Sequence, residues 1–127
     1  MDEDFVTYEL AVKLKEKGFN EPCYGYYHCN GGNDSFELCG NGDRDFLNSK
    51  NLYRVAAPTI PQVLKGLREE KKIHIEVMFI GPTPNRVKYY ITNIGGDRSF
   101  MDVADEHYET WEQATLAGIK YVLDNLI

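Results

Sequence analysis

The segment from Thr59 to Ile94 constrains the fold more than any other part of the chain, because a helix signal is followed there by two strand signals. Thr59 is placed to cap a helix, and Gln62 stands three residues on, where its side chain can reach back to the amide of the cap residue. Apolar residues then recur at the spacing of one helix face: Ile60, Val63, Leu64 and Leu67. We therefore predict a helix with one buried stripe, which ends in the charged run from Arg68 to Lys72.

Two alternating segments follow this helix and predict a pair of antiparallel strands. The first places Ile73, Ile75, Val77 and Phe79 on one face, and the second does the same with Val87, Tyr89 and Ile91. Such alternation is typical of a sheet with one face on the core and the other toward solvent. A helix joined to an antiparallel hairpin predicts the α+β fold class.

Two further helices are predicted, one near each end of the chain. Thr7 is a suitable cap for the first, and Gly18 is suited to the left-handed position that follows a helix. Thr110 and Gln113 form a second capping pair, which begins a helix that runs through Asn125. Because this last helix is apolar over a wide surface, we expect it to be buried on more than one side.

The segment between the first two helices predicts a second hairpin. It runs from Cys23 to Cys39, and its turn contains Gly31 and Gly32, which can supply positive φ values. Residues 40–58 are rich in Gly, Asn, Asp and Ser and predict an exposed loop. Residues 99–103 predict a short strand at the edge of the sheet.

These elements predict the order α-β-β-α-β-β-(β)-α. With 127 residues the chain is long enough for one hydrophobic core, so we predict a single α+β domain spanning residues 1–127. Its expected architecture is one antiparallel sheet of four or five strands, with the three helices mainly on one face.

The charge of the chain is acidic and unevenly distributed. The formal net charge is −6, with +4 in residues 51–100 and −5 in each of the two flanking parts. Binding to duplex nucleic acid needs basic groups that release counterions from phosphates, so we expect no such partner. No stretch approaches the roughly 20 apolar residues of a membrane span, and the acidic start differs from a secretory signal. We therefore expect a cytoplasmic protein that does not enter a membrane.

The residues that come nearest to a metal-binding set are Cys23, His28, Cys29 and Cys39. On one strand Cys23 and Cys29 would lie about 20 Å apart, with His28 on the other face, and neither spacing is that of a zinc knuckle. No serine or cysteine is tied to a base by its spacing, and no phosphate-binding glycine loop is present. The sequence predicts no metal, no cofactor and no catalytic residue, and it leaves open whether the chain has any enzymatic activity.

Tyrosines beside basic residues are the strongest candidates for a binding site. The chain has nine Tyr, six Phe and one Trp, and several Tyr fall in predicted strands. Aromatic rings with cations nearby suit a single-stranded nucleic acid or a nucleotide. Tyrosines at a sheet surface also suit a protein interface or plain packing. The candidate ligand-binding residues are Arg86, Lys88, Tyr90, Tyr24 and Tyr26.

Four segments carry a resemblance to a known family: Glu21-Pro22-Cys23, Ala57-Pro58-Thr59, Leu67-Arg68-Glu69-Glu70-Lys71 and Ala117-Gly118-Ile119-Lys120-Tyr121. In these segments the chain resembles a family of short uncharacterised bacterial proteins that occur on prophages and other mobile elements of gut bacteria. The family brings no assigned activity and no catalytic residues. What the resemblance implies is an accessory protein that acts on host proteins or on signalling molecules of host defence.

Two functions of different kinds are consistent with these features. The first is a non-enzymatic binding protein that engages a host or phage protein through its tyrosine-rich sheet or through the helix exit from Arg68 to Lys72. The alternative is a protein that sequesters a small anionic ligand, such as a nucleotide signal. We also expect self-association, because the edges of the predicted sheet need to be covered.

Overall fold

The computed structural model describes residues 4–40, 43–44, 46–50, 53–79, 87–93, 100–101 and 107–127. The chain divides into two compact units, Met1–Thr59 with Ile127, and Ile60–Leu126. The described strands form two antiparallel sheets of three strands each, and three α-helices accompany them. The predicted α+β class with antiparallel pairing is therefore confirmed.

The first unit consists of one helix and one sheet. Its elements are α1 (Tyr8–Glu16), β1 (Gly25–His28), β2 (Glu37–Leu38) and β3 (Arg54–Ala57), with two short 3₁₀ turns at Asn33–Ser35 and Asn48–Lys50. The strand order is β2-β1-β3, so β1 is central. Tyr26 pairs with Glu37 on one side of β1, and His28 pairs with Arg54 on the other.

Helix α1 begins and ends where the sequence predicts. The Thr7 hydroxyl accepts a hydrogen bond from the Leu10 amide at 3.4 Å, which satisfies one of the free amides of the first turn. At the other end Gly18 has a φ of +91°, and the Phe19 amide donates to the Leu14 carbonyl at 2.9 Å. This left-handed ending lets the chain turn back toward the sheet.

The core of the first unit lies between α1 and the sheet. Leu10, Ala11 and Leu14 are the buried residues of the helix. Alternate residues of β1 are buried, and Tyr27 is one of them, whereas Tyr26 and His28 are only half-buried. Because successive side chains of a strand point to opposite faces, Tyr27 belongs to the core face and its two neighbours belong to the outer face.

The second unit consists of α2 (Ile60–Glu70), β4 (Ile73–Phe79), β5 (Val87–Asn93), β6 (Phe100–Met101) and α3 (Trp111–Asn125). The strand order is β4-β5-β6, and the β4–β5 register runs from Ile73 opposite Asn93 to Phe79 opposite Val87. The hairpin and the short edge strand predicted at 99–103 are both confirmed.

Helix α3 lies close against the apolar face of this sheet. A Cβ atom at Gly118 would be 3.0 Å from Ile75 Cγ2 and 3.2 Å from the Tyr89 ring, so glycine permits the close approach. Ile75 and Tyr89 are both buried, as the alternation predicts. The cap of the helix is also as predicted, since the Gln113 amide donates to the Thr110 hydroxyl at 3.1 Å.

Two predictions are wrong here. The described strands form two sheets rather than one. Residues 40–58, predicted as an exposed loop, contain the strand Arg54–Ala57 and the buried residues Phe46 and Asn48. Val55, Ala56 and Ala57 are all buried, so this strand shows no alternation, and alanine is a poor strand former. This strand completes a separate sheet in the first unit.

Three smaller predictions also differ from the structure. At the turn of the first hairpin Asn30 and Gly32 have positive φ values and Gly31 does not; a Cβ at Gly31 would be 2.5 Å from Ser35 Cβ, so close contact explains the glycine. Leu64 is half-buried, whereas its neighbours on the predicted stripe are buried. Helix α3 is buried along one continuous face rather than on more than one side; the residues of this face are Ala114, Thr115, Gly118, Ile119, Val122 and Leu123.

None of the helices within the described ranges combines the length and the apolar character that a bilayer crossing requires.

Candidate functional site

The outer face of the first sheet carries a compact group of aromatic and charged side chains. Tyr24, Tyr26 and His28 share this face by strand alternation, and the ladder extends to Tyr24 because its carbonyl accepts a 2.8 Å hydrogen bond from the Cys39 amide. We call this group the tyrosine face; its members are Tyr24, Tyr26, His28, Glu37, Arg44 and Arg54.

Glu37 connects the two strands of this face. Its carboxylate accepts a hydrogen bond from the Tyr26 hydroxyl at 2.8 Å, and the same oxygen lies 3.2 Å from His28 Nε2. The hydrogen bond from Tyr26, followed by that from His28, lowers the pKa of the Glu37 carboxyl. The same hydrogen bond, assisted by burial, raises the pKa of the Tyr26 hydroxyl. The contact therefore favours a carboxylate beside a neutral phenol.

Two arginines lie over the two tyrosines. The guanidinium carbon of Arg44 is 4.8 Å from the ring centre of Tyr24, and that of Arg54 is 5.0 Å from the ring centre of Tyr26. Both distances are within the range of cation–π attraction. A guanidinium that lies over an aromatic ring can still bind a carboxylate or a phosphate through its N–H groups.

The ring of Tyr26 rests on a rigid base. It stacks on Phe46 with ring centres 4.8 Å apart and an interplanar angle of 20°. Phe46 is buried and exchanges two backbone hydrogen bonds with Cys23, at 2.9 and 3.2 Å. This arrangement fixes Tyr26 before any partner arrives, which lowers the entropic cost of binding.

The arrangement suits binding better than catalysis. His28 and Glu37 resemble an acid–base pair, but their side chains are 40% and 55% exposed. A catalytic pair gains most from a site that excludes water, because electrostatic interactions are weak at a solvated surface. Their position on an open sheet face is that of contact residues.

The residues predicted as a ligand site fall into two groups. Tyr24 and Tyr26 belong to the tyrosine face of the first unit. Lys88 and Tyr90 belong to β5 in the second unit, where Lys88 Nζ lies 5.7 Å from the ring centre of Tyr90. Glu76 stands directly opposite Tyr90 on β4, so a carboxylate shares this face with the lysine. Arg86, the fifth predicted residue, lies outside the described residues.

The Cys23 and Cys39 thiols and the His28 ring make contacts other than metal coordination. The Cys23 thiol donates to the Glu21 carbonyl at 3.3 Å, and the Cys39 thiol donates to the Cys23 carbonyl at 3.6 Å. Within the described ranges, no three His, Cys, Asp or Glu side chains lie close enough together to hold a metal ion.

Comparison with known proteins adds no relative: no family model, no curated protein and no solved structure matches the chain. The assignment of the candidate site therefore depends on its geometry alone. Sequence reasoning missed Glu37, Arg44 and Arg54, because these residues contact the tyrosines only through the strand pairing and the fold of the loop. The one signal in the sequence that could have indicated these residues is that a polar residue stands next to each aromatic strand.

Proposed function

We propose that the protein is a non-enzymatic binding protein that engages another protein through the tyrosine face. The observation that supports this most directly is the position of Arg44 over the Tyr24 ring and of Arg54 over the Tyr26 ring on the outer face of one sheet. Tyrosine and arginine are the residue types that most often carry the binding energy of protein interfaces. The resemblance to proteins of prophages and mobile elements suggests a host or phage protein as the partner.

The chemistry of the face indicates what such a partner presents. The two stacked guanidinium groups offer donors for carboxylates, and the Tyr24 ring, 36% exposed, offers an apolar surface beside them. A segment that combines acidic side chains with an apolar or aromatic residue would meet both requirements. Electrostatic complementarity of this kind mainly adds specificity and speeds association.

Affinity capture with two matched variants tests the proposal. In the first variant, Arg44→Glu and Arg54→Glu reverse two charges on the tyrosine face. In the second, Arg68→Glu and Lys71→Glu make the same charge change at the end of α2, the other surface that the sequence proposes. The purified full chain and both variants are exposed to a bacterial lysate, and bound proteins are quantified by mass spectrometry.

We expect a protein that is retained by the wild type and the α2 variant and lost from the tyrosine-face variant. If the protein is lost from the α2 variant alone, the interface lies at the end of α2 and not on the tyrosine face. Equal retention by all three would contradict both surfaces.

A small anionic ligand is the second candidate, and the contact of Lys88 with Tyr90 favours it. Thermal shift against a panel of nucleotides tests this function. A stabilising nucleotide whose effect disappears in Lys88→Ala and persists in Arg54→Ala would support the sequestering function; no stabilisation by any nucleotide would oppose it.

A further inference from the structure

A cavity of about 300 Å³ lies in the first unit beside the start of α1. Phe5, Tyr27 and Phe36 form its aromatic lining, and Thr7, Asn33 and Asp34 form its polar lining. Its volume is at the lower end of the range for ligand pockets, which suits one small head group or side chain. Tyr27 belongs to the core face of β1, so this aromatic cavity is separate from the tyrosine face.

The three rings pack against one another at inclined angles and together line one side of the cavity. The ring centres of Phe5 and Phe36 are 4.8 Å apart at an interplanar angle of 52°, and those of Tyr27 and Phe36 are 5.4 Å apart at 60°. The Tyr27 hydroxyl is fixed by donating to the Val6 carbonyl. Rings held in such a geometry present a fixed surface to a ligand.

The position of the Phe36 ring depends on a glycine. A Cβ atom at Gly25 would lie 2.7 Å from two atoms of that ring and 3.1 Å from the Glu37 carbonyl oxygen. Any larger residue at Gly25 would displace the ring. Gly25 of β1 therefore leaves the space that the Phe36 ring occupies as one wall of the cavity.

Among the described residues that line the cavity, Asp34 alone carries a formal charge, and that charge is negative. Asp34 is exposed, and no basic side chain in the described ranges forms an ion pair with it. The helix start offers little to an anion, because the Tyr8 amide already donates to Asn33 Oδ1 at 2.8 Å and the Leu10 amide to Thr7. Glu9 in the first turn also offsets the positive end of the helix dipole.

We propose that the aromatic cavity binds an organic cation, an ammonium group that carries aliphatic or methyl carbons. Aromatic ring faces attract such cations, and methylated ammonium groups are the ligands that sets of aromatic rings bind best. The Asp34 carboxylate supplies the opposite charge at the opening. The cation has two chemical sources: a free small molecule of the choline type, or a methylated lysine side chain of a protein.

A pair of ligands with the same shape and different charge tests the proposal. Choline and its neutral carbon analogue, 3,3-dimethylbutan-1-ol, are titrated into the ¹⁵N-labelled full chain, and amide and aromatic NMR shifts are followed. We expect saturable shifts for Phe5, Tyr27, Phe36 and Asn33, with choline binding about tenfold more tightly than the alcohol. Equal affinity for the two ligands, or no saturable shift with either, would overturn the proposal.

Two variants separate the charge from the rings. Asp34→Asn should weaken choline binding several-fold and leave the affinity for the alcohol unchanged, while Asp124→Asn in the second unit should change neither. Phe36→Leu keeps an apolar side chain and removes a ring, so it should reduce the preference for choline over the alcohol. The ¹⁵N spectrum of each variant reports whether it is folded. A folded Asp34→Asn variant that binds choline as the wild type does would contradict the assignment.

A further titration distinguishes the two sources of the cation. A short peptide with one trimethyl-lysine and the same peptide with unmodified lysine are compared with choline. Tighter binding of the methylated peptide assigns the cavity to a protein partner. Tighter binding of choline assigns it to a small molecule. If the affinity depends neither on methylation nor on charge, the result would contradict the proposal.

Discussion

The Tyr26 hydroxyl donates a hydrogen bond to the Glu37 carboxylate across neighbouring strands, with 2.8 Å between the two oxygens. This contact lowers the pKa of Glu37 from its ordinary value. In Tyr26→Phe the donor is absent, so the pKa of Glu37 should rise toward its ordinary value. A pH titration of the Glu37 carboxyl carbon by NMR measures both midpoints.

The sign of the stability effect follows from the direction of this shift. A carboxyl whose pKa is lowered in the folded state adds stability above its unfolded pKa and loses that contribution as pH falls through the folded value. The difference in unfolding free energy between wild type and Tyr26→Phe should therefore shrink in acid. A difference that stays constant from neutral pH to pH about 3 would show that the contact has no electrostatic part.

Leu67 should contribute much more to stability than Leu64, although both lie on the same predicted stripe. Leu67 is 6% exposed, whereas Leu64 is half-buried. Leu67→Ala should cost about 2 to 5 kcal/mol, the range for buried leucines, and Leu64→Ala should cost less. Urea unfolding of both variants measures the difference, and equal costs would be inconsistent with the packing of α2.

Gly18 ends α1 in a conformation that other residues adopt with difficulty. Its φ is +91°, and a Cβ there would meet no atom within 4 Å, so the cost of a substitution is conformational. Gly18→Ala should lower the unfolding free energy by about 1 to 2 kcal/mol. Gly40→Ala is the matched control, since the space around Gly40 is equally open. The two variants should differ clearly in their urea midpoints.

The sequence predicts an element well where its signal is local. The caps at Thr7 and Thr110 and the strand from Ile73 to Phe79 depend on residues within one helix turn or one strand, and the structure has all three. The predicted core face of that strand is buried at Ile73 and Ile75, whereas Phe79 at its end is exposed. Arg54–Ala57 was missed because a strand buried over three successive residues loses the alternation that identifies strands.

The candidate site was harder to predict than the fold for a similar reason. Tyr24 and Tyr26 are recognisable as aromatic residues of a strand, but their charged neighbours come from β2, β3 and a loop. Arg54 could not be placed beside Tyr26 without the unrecognised strand. In the second unit Lys88 and Tyr90 share one strand, so alternation alone was sufficient to predict that they lie side by side on one face.

Self-association remains a prediction, and the second unit offers a surface for it. Phe79 is 76% exposed at the end of β4, and Met78 beside it is 42% exposed. Because β4 is an edge strand of the described sheet, a second copy could cover this apolar end. Light scattering should give a dimer for the wild type and a monomer for Phe79→Ser, with Tyr53→Ser as the control. A wild-type monomer at high concentration would oppose this prediction.

Binding of a protein partner by the tyrosine face can be measured through the affinity of the captured partner for two tyrosine variants. Tyr24 is stacked with Arg44 on the tyrosine face, whereas Tyr53 is 80% exposed and precedes β3, where alternation from Arg54 places it on the opposite face. By calorimetry, Tyr24→Ala should weaken binding at least about tenfold, as truncation of an interface anchor does, and Tyr53→Ala should leave it unchanged. Full affinity in Tyr24→Ala, or an equal loss in both variants, would contradict the account.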